Sequence, residues 1–297
     1  MGKMLYLQLI ALFVVTQVLG LYVGHALLKE NIAATIVTEN KEDLENSVGL
    51  FAYILVFTAI LLAVIKFAPE WVKFLIFKIF ETMAIFFSSV IVLAAFVTPD
   101  IIFIQIGTEP LTYAMKKQIA ASIPFLISII IVIAKNVWNS NIALRNLTAI
   151  ISTAGAGALL GASLGIMPVV LFMVMLSIYD FVAVFKTKHM VTLAKSITNK
   201  NLSFTFAIPT KAHTFELGTG DIVLPLTFAV SILAITAAKL PYPYYWVQPG
   251  IILFASLLGL IVTINYSSRN VGRALPALPL QSILMIVAYA LTVFAGY

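Results

Sequence analysis

The sequence has no cysteine, only three histidines and few charged residues. Of its 297 residues, 10% are charged and 62% are hydrophobic. Without cysteine the chain forms no disulfide and has no thiol nucleophile or cysteine-bound metal. The absence of a His-Glu-x-x-His motif excludes a zinc protease of that class. So little polar surface cannot cover a soluble globule of this size, and the composition therefore predicts a protein that lies in a lipid bilayer.

Long apolar stretches predict the fold. Nine of them have about the 20 residues with which a helix crosses the hydrocarbon core of a bilayer. They lie near residues 5–28, 48–66, 74–98, 117–135, 142–165, 167–185, 219–238, 249–266 and 277–296. We therefore expect an all-α membrane protein of about nine transmembrane helices in one domain, residues 1–297. Helices 1–6 occupy about 5–185, an inside loop about 186–217, and helices 7–9 about 219–296.

The basic residues are unevenly divided between the two sides that successive connections would face. Thirteen of the 18 lysines and arginines fall on one side, and five fall on the other side together with the acidic residues at positions 39–45. Lysine and arginine are enriched in cytoplasmic connections. We therefore expect a cytoplasmic N-terminus and an extracytoplasmic C-terminus.

Two aspartates lie inside apolar spans. Asp180 comes late in the sixth span and Asp221 early in the seventh. Because these helices run in opposite directions, both carboxyls are expected at one depth, near the cytoplasmic side. Ionisable residues within a span are costly and usually face a cavity or a partner, so this pair is the first candidate for function. Glu81 also lies near a membrane edge, where Lys78, three residues before it, is the expected partner at a solvated or paired helix end.

Two carboxyls in contact at low dielectric do not both ionise readily, and they share one proton. The dyad of the soluble aspartic proteases works in this way. One carboxylate takes a proton from water while the carboxylic acid donates a proton to a carbonyl oxygen. This chemistry hydrolyses a peptide bond without a covalent intermediate.

Three short motifs surround the two acids and lie at the same expected depth. They are Tyr179-Asp180, Gly218-Thr219-Gly220-Asp221 and Pro276-Ala277-Leu278. The glycines before Asp221 leave room for a substrate backbone and permit non-helical dihedral angles. A helix N-terminus favours a carboxylate at Asp221.

In this order, on the sixth, seventh and ninth of nine spans, the motifs resemble the presenilin and signal peptide peptidase family of intramembrane aspartyl proteases. The number of spans and the loop between the sixth and seventh spans are also similar, and the compact loops look like those of microbial, archaeal members. The resemblance implies that Asp180 and Asp221 are the catalytic pair. It implies further that the other motif residues shape the site and bind substrate: Tyr179, Gly218, Thr219, Gly220, Pro276, Ala277 and Leu278.

The resemblance implies a protease of the cell membrane that cleaves the transmembrane helices of other membrane proteins. No cofactor, metal or nucleic acid is expected. The loop between the catalytic helices lacks the long segment that carries the self-cleavage site of presenilin, so the accessory subunits of γ-secretase are not expected to be required. A homo-oligomer is compatible with the sequence.

The segment Leu202–Ile208 alternates apolar and polar residues, which predicts a short strand. Unwinding a helical substrate in lipid leaves its backbone groups without hydrogen-bond partners unless the protein supplies them. We expect this strand, or the turn at Pro276-Ala277-Leu278, to pair with the unwound substrate.

Two other functions fit parts of the sequence. Paired acids within a membrane also serve proton- or cation-coupled transporters, although the internal repeat common in transporters is not visible here. Residues 161–165 match the Gly-x-Ser-x-Gly pattern of serine hydrolases around Ser163, with His25 as the histidine on the same side. The glycines at 157, 161 and 165 equally predict a surface on which another helix packs closely.

Overall fold

A computed structural model of the chain describes residues 3–97, 113–183, 203–209, 214–269 and 276–296. This part of the chain contains nine α-helices, one for each predicted span, and a two-stranded sheet, of which one strand was predicted. The helices are α1 Lys3–Lys29, α2 Leu44–Phe67, α3 Glu70–Phe96, α4 Tyr113–Val137, α5 Ile142–Ser163, α6 Ile166–Val182, α7 Gly220–Lys239, α8 Val247–Arg269 and α9 Leu278–Phe294. The strands are β1 Thr205–Pro209 and β2 Thr214–Gly218.

Six of these helices are long and apolar enough to cross a membrane: α1, α2, α3, α5, α7 and α8. The other three contain shorter apolar segments of 17 residues: Ala121–Val137 in α4, and the whole of α6 and α9. Proline and asparagine set some of the boundaries. Pro69 separates α2 from α3, since it cannot continue the helical hydrogen bonds of α2. Asn141 caps α5, where its side chain accepts the backbone N–H of Leu144.

Helix α7 lies at the centre of the bundle, between α1 and α5. Glycines on both neighbours allow the close approach: Gly20 and Gly24 of α1, and Gly157 and Gly161 of α5, face Leu226 and Val230 of α7. A Cβ on Gly161 would lie 2.6 Å from the carbonyl oxygen of Thr227. The predicted close-packing surface on the fifth span is therefore confirmed for Gly157 and Gly161. Gly165 lies beyond the end of α5 and packs against the Glu42 carboxylate instead.

Strands β1 and β2 form an antiparallel hairpin that leads directly into α7. Ala207 lies opposite Glu216, and Thr205 opposite Gly218. One face of the hairpin carries Phe206, Ile208 and Leu217, which pack in a core cluster with Leu5, Leu9 and Phe13 of α1. The predicted strand is confirmed in part, because β1 begins at Thr205 and ends at Pro209, while Leu202 lies outside the described residues. Strand β2 was not predicted.

Candidate active site

Asp180 lies in the last turn of α6 and contacts the start of α9. Its carboxylate accepts a hydrogen bond from the backbone N–H of Leu278, the first residue of α9. The side chain of Leu278 packs beside Phe172 of α6 and Leu224 of α7. A further link between the same two helices joins the Ser177 and Ser282 hydroxyls, which lie 2.9 Å apart. The structure therefore brings the first and third sequence motifs together.

Asp221 lies in the first turn of α7, close enough to Asp180 for the two carboxyls to interact electrostatically. The helix N-terminus favours negative charge at this position. Pro225, four residues later, has no N–H with which to make the helical hydrogen bond to the Asp221 carbonyl. On α1, the buried Gln17 donates its Nε2 to the neighbouring Ile222 carbonyl oxygen at 3.0 Å. This contact ties the first turn of α7 to α1.

Of the three residues before Asp221, the two glycines leave space and the threonine makes hydrogen bonds. A Cβ on Gly218 would have Asp221 Oδ2 as its nearest neighbour, at 3.6 Å, and a Cβ on Gly220 would meet nothing within 4 Å. Among the residues that the structure describes, the space beside the Asp221 carboxyl is therefore open. Thr219 instead binds the chain just before β1. Its N–H and its Oγ1 both donate hydrogen bonds to the Phe204 carbonyl oxygen, at 3.2 and 3.0 Å.

The remaining motif residues lie around the pair rather than in it. The Tyr179 hydroxyl bonds with the Thr58 side chain, and the Tyr179 ring meets Phe51 edge-on, with ring centroids 6.1 Å apart. Both contacts attach α6 to α2. Ala277 is buried in the core cluster that includes the apolar face of the hairpin, and Pro276 is half-buried.

A third acid, Glu81, is buried in an ion-pair cluster. Glu81 of α3 contacts Lys78 at 2.7 Å, as predicted, and also Lys135 of α4 at 3.3 Å. It is only 1% exposed, so the alternative of a solvated helix end is wrong. Its Oε1 accepts the Ser203 N–H at 2.8 Å, directly before β1. Glu81 therefore joins three elements in one ion-pair cluster.

Sequence reasoning missed the polar contacts of the hairpin. Arg145 of α5 donates from Nη2 to the Glu216 carboxylate and to the Thr205 hydroxyl, which itself donates to Glu216. Asn146, the next residue, bonds with the backbone of Ala207. Arg145 lies near the start of the fifth predicted span, and Glu216 lies outside the apolar spans. The basic residue at the first turn of an apolar helix was the available signal.

A pocket of about 130 Å³ lies next to α7 between α3 and α5. Its lining includes Thr219, which directly precedes α7, Val223 in the first turn of α7, and the buried hydroxyl of Thr153. Asp221 lies about 200° around the helix from Val223. The pocket therefore lies behind the first turn of α7, on the other side from the carboxyl pair.

The Gly-x-Ser-x-Gly segment has a packing role. The Ser163 hydroxyl donates to the Leu159 carbonyl oxygen at 2.6 Å and accepts the Ala34 N–H at 2.8 Å. His25 stacks on Tyr245, with ring centroids 5.7 Å apart. Both groups of the serine hydrolase alternative are thus accounted for by structural contacts.

Comparisons with known proteins give the family and a similar fold. The model of the family described as signal-peptide peptidase, presenilin aspartyl protease matches residues 10–296. The fold is similar to two solved structures, each described as a presenilin family intramembrane aspartate protease. The structure in space group C222 has a TM-score of 0.68 at 17% identity and covers 98% of this chain and 99% of that chain. The structure in space group P2 has a TM-score of 0.64 at 18% identity and covers 96% of each chain. A comparison with curated protein sequences gives no significant match.

Proposed function

Because this chain belongs to the signal peptide peptidase and presenilin family of aspartyl proteases, we propose that Asp180 and Asp221 are its catalytic pair. The chain is an integral, multi-pass membrane protein and an intramembrane aspartic endopeptidase. The observation that carries the assignment is the approach of two carboxyls from α6 and α7, with the start of α9 bonded to one of them. Three elements that are distant in sequence meet at one point.

In the proposed reaction the two carboxyls share one proton. The ionised member takes a proton from a water molecule, which attacks the substrate carbonyl carbon, while the protonated member donates to the carbonyl oxygen. The resulting tetrahedral intermediate then breaks its C–N bond. The leaving nitrogen takes a proton from the pair, and one hydroxyl of the intermediate returns a proton to the pair as it becomes the carbonyl of the new carboxylic acid. The carboxyls return to their starting state, with water divided between the two products.

The geometry of the hairpin supports a binding mode for the substrate backbone. Asn146 donates Nδ2 to the Ala207 carbonyl oxygen and accepts the Ala207 N–H, both at 2.8 Å, so it fills the outer edge of β1. In an antiparallel pair, alternate residues direct their backbone groups toward the partner strand or away from it. Since the backbone groups of Ala207 point away from β2, those of the opposite residue, Glu216, point away from β1, and so do those of Gly218. Among the described residues, no hydrogen bond fills this edge of β2.

We therefore assign substrate pairing to β2 rather than to β1 or to the turn at Pro276-Ala277-Leu278. An unwound segment of a transmembrane helix would add as a strand along Glu216 and Gly218. These residues directly precede Asp221, and Gly218 leaves space beside its carboxyl. The paired strand supplies the partners that the substrate's backbone loses when it unwinds in lipid.

Two wider properties belong to the same proposal. The division of basic residues supports a cytoplasmic N-terminus, which places the carboxyl pair near the cytoplasmic face. The short connection between the catalytic helices supports an enzyme that acts without accessory subunits.

Reconstitution tests the assignment. The purified protein is placed in liposomes with a labelled transmembrane peptide, and cleavage is followed by mass spectrometry of the products. We expect cleavage by the unaltered protein and none by Asp180→Asn or Asp221→Asn. Cleavage that survives either substitution would overturn the assignment. A pH-driven ion flux without cleavage would establish the transporter alternative.

A further inference from the structure

The hairpin is fastened on its polar face by one buried arginine. Arg145 is 4% exposed and bonds through Nη2 to both Thr205 on β1 and Glu216 on β2. Thr205 donates to the same carboxylate. One charged triangle therefore connects both strands to the first turn of α5.

Further contacts join the start of the hairpin to the same helix. The Ser203 hydroxyl lies 2.9 Å from the Thr148 hydroxyl of α5, and Asn146 of α5 holds Ala207. Helix α5 also packs along α7 through Gly157 and Gly161. The strand edge and the helix that carries Asp221 are thus positioned against one common element.

An isolated two-stranded hairpin is marginally stable in water, so this one depends on what surrounds it. Its apolar face is covered by α1, and its polar face is held by the ion pair. A binding surface that is already ordered does not lose free energy to ordering when its ligand arrives. The ion pair lies on the strand that carries the free edge, where this effect would be largest.

We propose that Arg145 and Glu216 are a positioning pair that keeps the free edge of β2 formed, and aligned with Asp221, before substrate binds. The inference rests on the proposed function, because it takes β2 as the strand that the substrate joins. Arg145 and Glu216 act through the hairpin and do not take part in proton transfer.

Conservative substitutions separate this role from general stability. Glu216→Gln keeps the shape and an acceptor for Thr205 but removes the charge that faces Arg145. Thr205→Val removes the bridging hydroxyl and leaves the ion pair in place. If Glu216→Gln does not fold, the proposal is tested with Thr205→Val instead. Glu70→Gln is the matched control, since it removes an exposed ion pair with Lys73, 2.8 Å in length, on α3.

Hydrogen–deuterium exchange on the substrate-free protein in lipid nanodiscs measures the preformed edge. We expect slow exchange at Phe206, Ile208, Phe215 and Leu217, whose backbone groups face the partner strand. In Glu216→Gln their exchange should quicken about tenfold or more, as expected when a charge-assisted hydrogen bond is lost. Thr205→Val should give a smaller change in the same direction, and Glu70→Gln none.

Peptide cleavage kinetics give the second readout. We expect Glu216→Gln to raise KM about tenfold while kcat changes less than about twofold, because the edge then forms only on the substrate. Unchanged exchange and unchanged KM in the folded variants would overturn the proposal. A fall in kcat as large as the rise in KM would overturn it as well. If the unaltered protein cleaves no peptide, the proposed function fails, while the exchange measurement still decides whether the ion pair holds the hairpin.

Discussion

Asp221 is preceded by two glycines whose surroundings differ. A side chain on Gly218 would lie beside the Asp221 carboxyl, in the space assigned to the substrate backbone, whereas a side chain on Gly220 would point into open space. Alanine at Gly218 would therefore reduce the space for substrate, whereas alanine at Gly220 would not, and the comparison distinguishes this effect from a general effect of replacing glycine.

We predict that Gly218→Ala lowers kcat about tenfold or more, because a displacement of about 1 Å at a reacting group can reduce a rate a hundredfold. The added methyl group makes only an ordinary contact at 3.6 Å, so the variant should fold normally. Gly220→Ala should cleave at a rate close to that of the unaltered protein. Peptide cleavage by the two variants, at matched amounts of folded protein, makes the comparison, and equal rates would contradict it.

Some residues of the proposed site can be recognised from the sequence alone, and others cannot. Asp180 and Asp221 stand out because charges are rare within apolar spans. Glu216 does not, since it lies in a connection where charge is ordinary, and its partner Arg145 is 71 positions away. Only the folded hairpin brings these two side chains together.

At the scale of helices, the packing of α7 depends on glycine. A Cβ on Gly161 would overlap the backbone of α7, so the two helices would have to move apart. We predict that Gly161→Ala destabilises the protein by about 1–3 kcal/mol, the usual range for an overpacked core. Gly250→Ala on α8, where the added Cβ meets nothing within 4 Å, should be neutral or stabilising by up to about 1 kcal/mol. Thermal unfolding in detergent compares the two, and a loss of stability no greater in Gly161→Ala would be evidence against this packing.

The cluster around Glu81 joins α3, α4 and the start of the hairpin. Glu81→Ala would leave Lys78 and the buried Lys135 without their carboxylate. We predict a loss of about 3–5 kcal/mol, as when one partner of a buried ion pair is removed. The exposed pair of Glu70 and Lys73 provides the control, because Glu70→Ala should cost about 1 kcal/mol or less. Unfolding free energies that do not differ between the two variants would show that the cluster is not structural.

The helices could be predicted from the sequence because a single feature, a long apolar stretch, marks each of them. Nine apolar stretches of sufficient length predicted nine helices, since backbone groups in lipid must bond within the helix. The alternating residues around Phe206 revealed β1. Strand β2 carries a similar alternation, with Thr214 and Glu216 polar and Phe215 and Leu217 apolar, but it is too short and too close to the glycines before α7 to stand out as a strand.

For the molecule as a whole, the absence of cysteine allows a direct test of orientation. Single cysteines can be introduced at Glu39, in the exposed connection after α1, and at Lys66, at the exposed end of α2. With a cytoplasmic N-terminus, a membrane-impermeant maleimide should label Glu39→Cys on intact cells, and should label Lys66→Cys only after the cells are opened. The reverse pattern would place the carboxyl pair near the outer face.

Helices α6, α7 and the start of α9 meet at Asp180 and Asp221, and we propose that the two carboxyls act as a unit. The most direct test is the cleavage rate of Asp180→Asn, Asp221→Asn and the double variant in liposomes. Residues that act as a unit have strongly non-additive effects, so each single variant should lose as much activity as the double variant. A single variant that retains cleavage well above the double variant would contradict the shared role of Asp180 and Asp221.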